Sequence, residues 1–159
     1  MNKIRTHFLA LSALLLTGTG VAHAVDYDLY VKGTRVTSSN ASNILGDGHV
    51  SYNASTKTLT LSSVTISHTG QMAAIRNIGI DGLNINVVGS NTISSNGYII
   101  SSIKSMNFTG TGSLKLSCTS DGSFTAICFD SRGGNTTCVI NGPQITINCD
   151  GAFSGSYSE

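Results

Sequence analysis

Tryptophan is absent, proline occurs once, and charged residues make up only 11% of the chain. Each shortage excludes something. Immunoglobulin-type sandwiches centre on a buried tryptophan, and here that anchor is missing. Nine basic residues against eight acidic ones leave no electrostatic footprint for nucleic acid or an anionic membrane surface. Apolar residues at helical spacing are nearly absent, which argues against a helical bundle. Chemistry-bearing motifs are scarce too. Beyond residue 24 there are only two histidines, His49 and His68, with no partner at metal spacing and no G-x-S-x-G elbow. Apart from Asp26-Tyr-Asp28, no close carboxylate pair exists for glycoside hydrolysis or calcium-assisted elimination. Arg76 and Arg132 are bases in principle, but the chain reads as non-catalytic.

The first 24 residues read as a secretory signal peptide. Lys3 and Arg5 give a positive start, Phe8 to Leu16 is an apolar run too short to span a bilayer, and Ala22-His23-Ala24 is a small-x-small cleavage site. No later stretch is apolar enough for a membrane helix. The expectation is an exported protein: secreted, periplasmic or displayed at the cell surface.

What remains is rich in Ser, Thr, Asn and Gly, interleaved with β-branched apolar residues. Leu59-Thr-Leu61, Val64-Thr-Ile66, Ile78-Gly-Ile80, Leu83-Asn-Ile85, Met106-Asn-Phe108, Leu114-Lys-Leu116, Cys138-Val-Ile140 and Ile145-Thr-Ile147 all alternate apolar, other, apolar. That period of two is the mark of a strand with one buried face. The strands also recur in larger units: a short strand, a turn with one or two glycines, a second short strand. Leu83 to Met106 is 23 residues and Met106 to Cys138 is 32, the longer step implying an insertion near Asp121. Brief strands and glycine turns repeating at this scale are what a parallel solenoid needs.

The expected fold is therefore all-β: a short, single-stranded parallel β-helix of about four coils over residues 67–150. Residues 25–66 read as an N-terminal cap, with a hairpin turning at Lys32-Gly33, one helical turn within Ser38 to Leu45, and a second hairpin joining His49–Tyr52 to Leu59–Leu61. Residues 151–159 read as a flexible tail, leaving the C-terminal coil uncapped and open to self-association.

Four cysteines, Cys118, Cys128, Cys138 and Cys149, are spaced ten, ten and eleven apart. An even count in an exported chain points to disulfides, with three connectivities open. Inward-facing core thiols on successive strands are the second reading. Zinc is the third, although the spacing fits no common zinc motif.

The run Val36-Thr-Ser-Ser-Asn40 through Gly48-His-Val50-Ser-Tyr52-Asn, followed by Leu59-Thr-Leu61, Val64-Thr-Ile66, Gly89-Ser-Asn91-Thr-Ile93 and Gly110-Thr-Gly112-Ser-Leu114, resembles a group of secreted bacterial β-helix proteins. These are similar to a carbohydrate-binding domain family that recognises acidic polysaccharides such as polygalacturonate with calcium. The resemblance implies a right-handed coil and a glycan-binding role, with calcium as the implied cofactor.

Candidate residues follow. Tyr98, in Asn96-Gly-Tyr, is the best exposed aromatic platform for a sugar ring, with Asn96 beside it. Asp121, Asp130 and Asp150 lie in turns of successive coils and would form a calcium site if they share a flank; the alternative is that each caps its own turn. The functional expectation is a non-catalytic carbohydrate-binding protein, its partner a polysaccharide or surface glycan. The alternative is a structural or adhesive surface protein whose coils act as a spacer, and a polysaccharide lyase or hydrolase ranks below both.

Overall fold

A computed structural model of the chain describes residues 23–119, 124–130, 132 and 134–155. The signal-peptide reading falls on 1–24, of which 1–22 lie outside the described residues. Strands β1 (Asp26–Val31), β2 (Thr34–Thr37) and β3 (Val50–Asn53) come first. Four coils of three strands follow: β4 (Thr58–Ser62), β5 (Thr65–His68) and β6 (Ile75–Asn77); β7 (Leu83–Val88), β8 (Ser90–Ser95) and β9 (Ile100–Ser102); β10 (Met106–Gly110), β11 (Ser113–Cys118) and β12 (Thr125–Phe129); β13 (Cys138–Ile140), β14 (Gln144–Asn148) and β15 (Gly151–Gly155).

Equivalent strands of successive coils pair in parallel and in register, giving three sheets around one column. Their orders are β2-β1-β6-β9-β12-β15, β3-β4-β7-β10-β13 and β5-β8-β11-β14. The chain is a β-solenoid of about four turns, as the sequence pattern predicts. No helix among the described residues is long and apolar enough to cross a membrane.

The alternation in sequence becomes stacking in space. Leu59, Ile85 and Phe108 lie in one register and Ile75, Ile100 and Ile127 in another, all completely buried. Each such side chain contributes about 1.5–3 kcal/mol of burial, and together they form the single dry core.

Two of the buried polar residues are asparagines. Asn91 accepts from the Val64 N–H at 3.0 Å through Oδ1, while its Nδ2 donates to the carbonyls of Val88, Gly89 and Ser113. Asn77 accepts from the Ile80 N–H at 2.9 Å and donates to the Ile80 carbonyl at 2.7 Å. That closed pair bends the chain, which is why Ile78-Gly-Ile80 is not the strand its pattern predicts.

Glycines mark the corner between the second and third sheets because backbone stacks on backbone there. A Cβ at Gly112 would lie 2.4 Å from the Gly89 carbonyl oxygen. At Gly110, whose φ is +97°, one would lie 2.3 Å from the Val87 carbonyl oxygen.

The cap holds both expected hairpins. The pair β1–β2 turns at Lys32 and Gly33, both with positive φ, and β3 pairs antiparallel with β4. Between Ser38 and Leu45 the chain makes turns that do not extend into a helix: the Ala41 N–H donates to the Thr37 carbonyl and the Asn43 N–H to that of Asn40, each at 2.9 Å. Asn40 instead accepts from the Thr37 N–H and donates to the Arg35 carbonyl, each at 2.8 Å, and the loop is laced to β3 through Ile44 N–H to Val50 and Tyr52 N–H to Ala41. Side-chain bonding of this kind competes with helix.

The coil stack is also longer than the span 67–150. It starts at Thr58, since β4 and β5 already pair in parallel with the second coil. It runs to Gly155, since β15 pairs with β12. Residues 156–159 lie outside the described residues.

Of the four cysteines, two are bonded. Cys118 and Cys149 follow the registered pair Ser117–Asn148 and form a disulfide between neighbouring coils. Cys128 and Cys138 are free. Cys138 faces inward, in register with Met106 and Leu83, and burial pushes its thiol pKa up. The core-thiol reading fits Cys138. Cys128 shares its register with the outward Ser101 and Arg76.

Candidate functional site

Each coil must turn from the third sheet into the first, and it does so through the loop after β5, β8 or β11. Coil stacking sets these loops side by side. The Asn96 N–H donates to the His68 carbonyl at 3.3 Å and its Nδ2 to the Thr69 carbonyl at 3.2 Å, tying the second coil's loop to the first's. Ser95, wholly buried, accepts from the Gly97 N–H at 3.2 Å.

Below them His68 faces inward at the end of β5. Its Nε2 lies 3.0 Å from the Met72 carbonyl oxygen, the tautomer with Nε2–H donating. Gly70 passes so close over that ring that a Cβ there would sit 2.7 Å from it. The loop 69–72 is thus held down at both ends.

Between the loops lies a half-open cavity of about 300 Å³, lined among the described residues by Thr69, Gly70, Gln71, Asn96, Gly97, Tyr98 and Phe124. Tyr98 is 39% exposed, and its ring meets Phe124 nearly perpendicular, 5.5 Å between centroids. An aromatic platform fixed by a second ring, with amide and hydroxyl groups around it, suits a small polar ligand with one apolar face. None of the seven lining residues carries a charge. Arg76, the next cation along the chain, turns instead to Met72 Sδ at 3.6 Å and the Tyr30 ring at 5.9 Å.

No family model matches this chain, nor does any curated protein or solved structure.

The structure brings Tyr98 and Asn96 together in one cavity. Sequence reasoning did not bring Thr69, Gln71 or Phe124 to the site. The missed signal was register: once His68 is set beside Ser95, the two loops that follow must be neighbours.

The aspartates fare differently. Asp121 lies outside the described residues. Asp130 follows β12 and Asp150 precedes β15, so they sit at opposite ends of paired strands, about 20 Å apart along the strand direction, and do not converge. Asp130 is held by the Arg132 side chain, with Nε donating at 2.8 Å, and those hydrogen bonds keep its carboxyl below the usual carboxylate range. Among the described residues no group of three His, Cys, Asp or Glu side chains is placed to hold a metal ion. His49 serves the cap: its Nδ1 lies 2.7 Å from the Ser62 carbonyl oxygen.

Proposed function

We propose that this protein is a non-catalytic saccharide-binding module whose site is the cavity beside Tyr98. The observation that carries the proposal is the lining itself: one half-exposed ring braced by Phe124, with Gln71 and Thr69 side chains as hydrogen-bonding groups. A sugar presents one C–H face to stack on such a ring and hydroxyls at its edge to bond with amides.

The described lining residues are all uncharged, which favours a neutral saccharide over the acidic class that the family resemblance implies. A uronate would want an arginine or lysine partner there, and calcium would want clustered carboxylates. Export belongs to the same proposal. It rests on the signal-like start, and the Cys118–Cys149 bond supports it, since disulfides persist in oxidising compartments.

A glycan array probed with and without chelator tests this reading. Retention on neutral glycans, unchanged by chelator and lost in Tyr98→Ala, is the expected result. No retention on any glycan rejects it.

A further inference from the structure

The two ends of the coil stack are finished differently. At the first coil, β1 covers β6 and β3 covers β4, both antiparallel. At the last coil, β13, β14 and β15 are each the outermost strand of their sheet, and no described residue pairs with their outer edges.

The side chains register the difference. Phe108 and Ile127 are completely buried in the third coil. Their in-register successors, Ile140 and Phe153, are 44% and 50% exposed. Leu114 and Leu116 are buried, whereas their successors Ile145 and Ile147 are only partly so. Among the described residues the dry column ends in a bare apolar layer. Three rows of backbone N–H and C=O groups surround it, and these invite strand pairing.

We infer that this terminal coil is a pairing surface for a second copy of the chain, and that two copies stack end to end through it into a closed dimer. A cover for this surface must supply three strand edges on the same perimeter and an apolar layer to fill the middle. Another terminal coil supplies both. Charge does not oppose the match, because Asp150 is the one charged residue in 138–155. No lysine or proline guards the three strands; Pro143 sits in the turn between β13 and β14.

A two-fold axis across the stack reverses strand direction, so the copies pair antiparallel. That is the geometry β1 and β3 already use at the other end. Because the cap covers two of the three sheets there, assembly stops at two copies. This inference does not depend on the saccharide site.

Sedimentation of the purified chain over a dilution series tests it, with maleimide labelling of Cys138 as a second readout. The expected result is twice the chain mass, halving on dilution, with Cys138 labelled more slowly in the dimer than in the diluted chain. Ile140→Lys and, separately, Phe153→Lys should give the single-chain mass with an unchanged β-type circular dichroism spectrum. Should either variant fail to fold, the dilution and labelling series of the unaltered chain decides alone. One chain mass at every concentration overturns the inference. So does growth beyond two copies, and so does a Cys138 that stays shielded in the single chain, which would mean the chain covers its own last coil.

Discussion

The rings of Tyr98 and Phe124 meet edge to face although they belong to loops of successive coils. The coil stacking, not local sequence, makes them neighbours, and the contact fixes the face that Tyr98 presents to the cavity. Edge-to-face pairs are worth about 0.5–1.5 kcal/mol beyond burial. Phe124→Ala should therefore cost about 1 kcal/mol in chemical denaturation and weaken saccharide affinity several-fold, less than Tyr98→Ala. Unchanged affinity would show that the Tyr98 ring is positioned by something else.

Asn91→Ala tests the inward polar clamp. It would strand the Val64 N–H in the wall of the core and remove one donor from the carbonyls of Val88, Gly89 and Ser113, of which Val88 and Gly89 keep the Ser63 and Ser113 N–H groups. A buried donor without a partner costs about 1–3 kcal/mol. The expected loss is about 2 kcal/mol or more in denaturant unfolding. Asn91→Leu restores volume but not the bonds, so it should not recover that loss.

Much of this architecture is visible in the sequence because the solenoid writes its core as alternation. Leu83-Asn-Ile85 and Met106-Asn-Phe108 announce both their strands and their inward faces, and the 23-residue step between them is the coil. What escaped is decided by side chains that bond the backbone. Asn40 turns a helix-like segment into a loop, and Asn77 turns an apolar alternation into a bend. The site was half legible. Tyr98 stands out as an aromatic in a glycine turn, but Thr69 and Gln71 join it only when the register of β5 against β8 is known. The aspartates misled for the same reason: Asp130 and Asp150 occupy similar turns in sequence but opposite ends of paired strands.

Gly112 gives a test of the corner stacking. A methyl group there would press on Gly89 backbone atoms at 2.4 and 2.8 Å, and backbone has little room to give. Gly112→Ala should lower stability by about 2 kcal/mol, in the range of overpacking changes. Gly97 is the control, with open space around its Cβ position and no positive φ. Gly97→Ala should shift the unfolding midpoint by less than about 0.5 kcal/mol equivalent.

The Cys118–Cys149 bond closes a sequence separation of 31 residues and ties the last coil to the third. Chain-entropy arguments put such a crosslink at about 3–4 kcal/mol. Replacing both cysteines with alanine should lower the denaturation midpoint accordingly. Amide exchange should rise first in β14 and β15, which have no further strand above them among the described residues. Uniform loss of protection across all four coils would contradict a local staple.

The claim on which the functional account rests is that the cavity beside Tyr98 receives a neutral sugar. The most direct measurement is a residue-resolved amide shift titration of the chain with neutral oligosaccharides. The account predicts saturable shifts centred on Gln71, Asn96, Gly97 and Tyr98, unaffected by chelator and absent in Tyr98→Ala. Shifts centred elsewhere on the coils, or saturation only by acidic oligosaccharides in the presence of calcium, would contradict it.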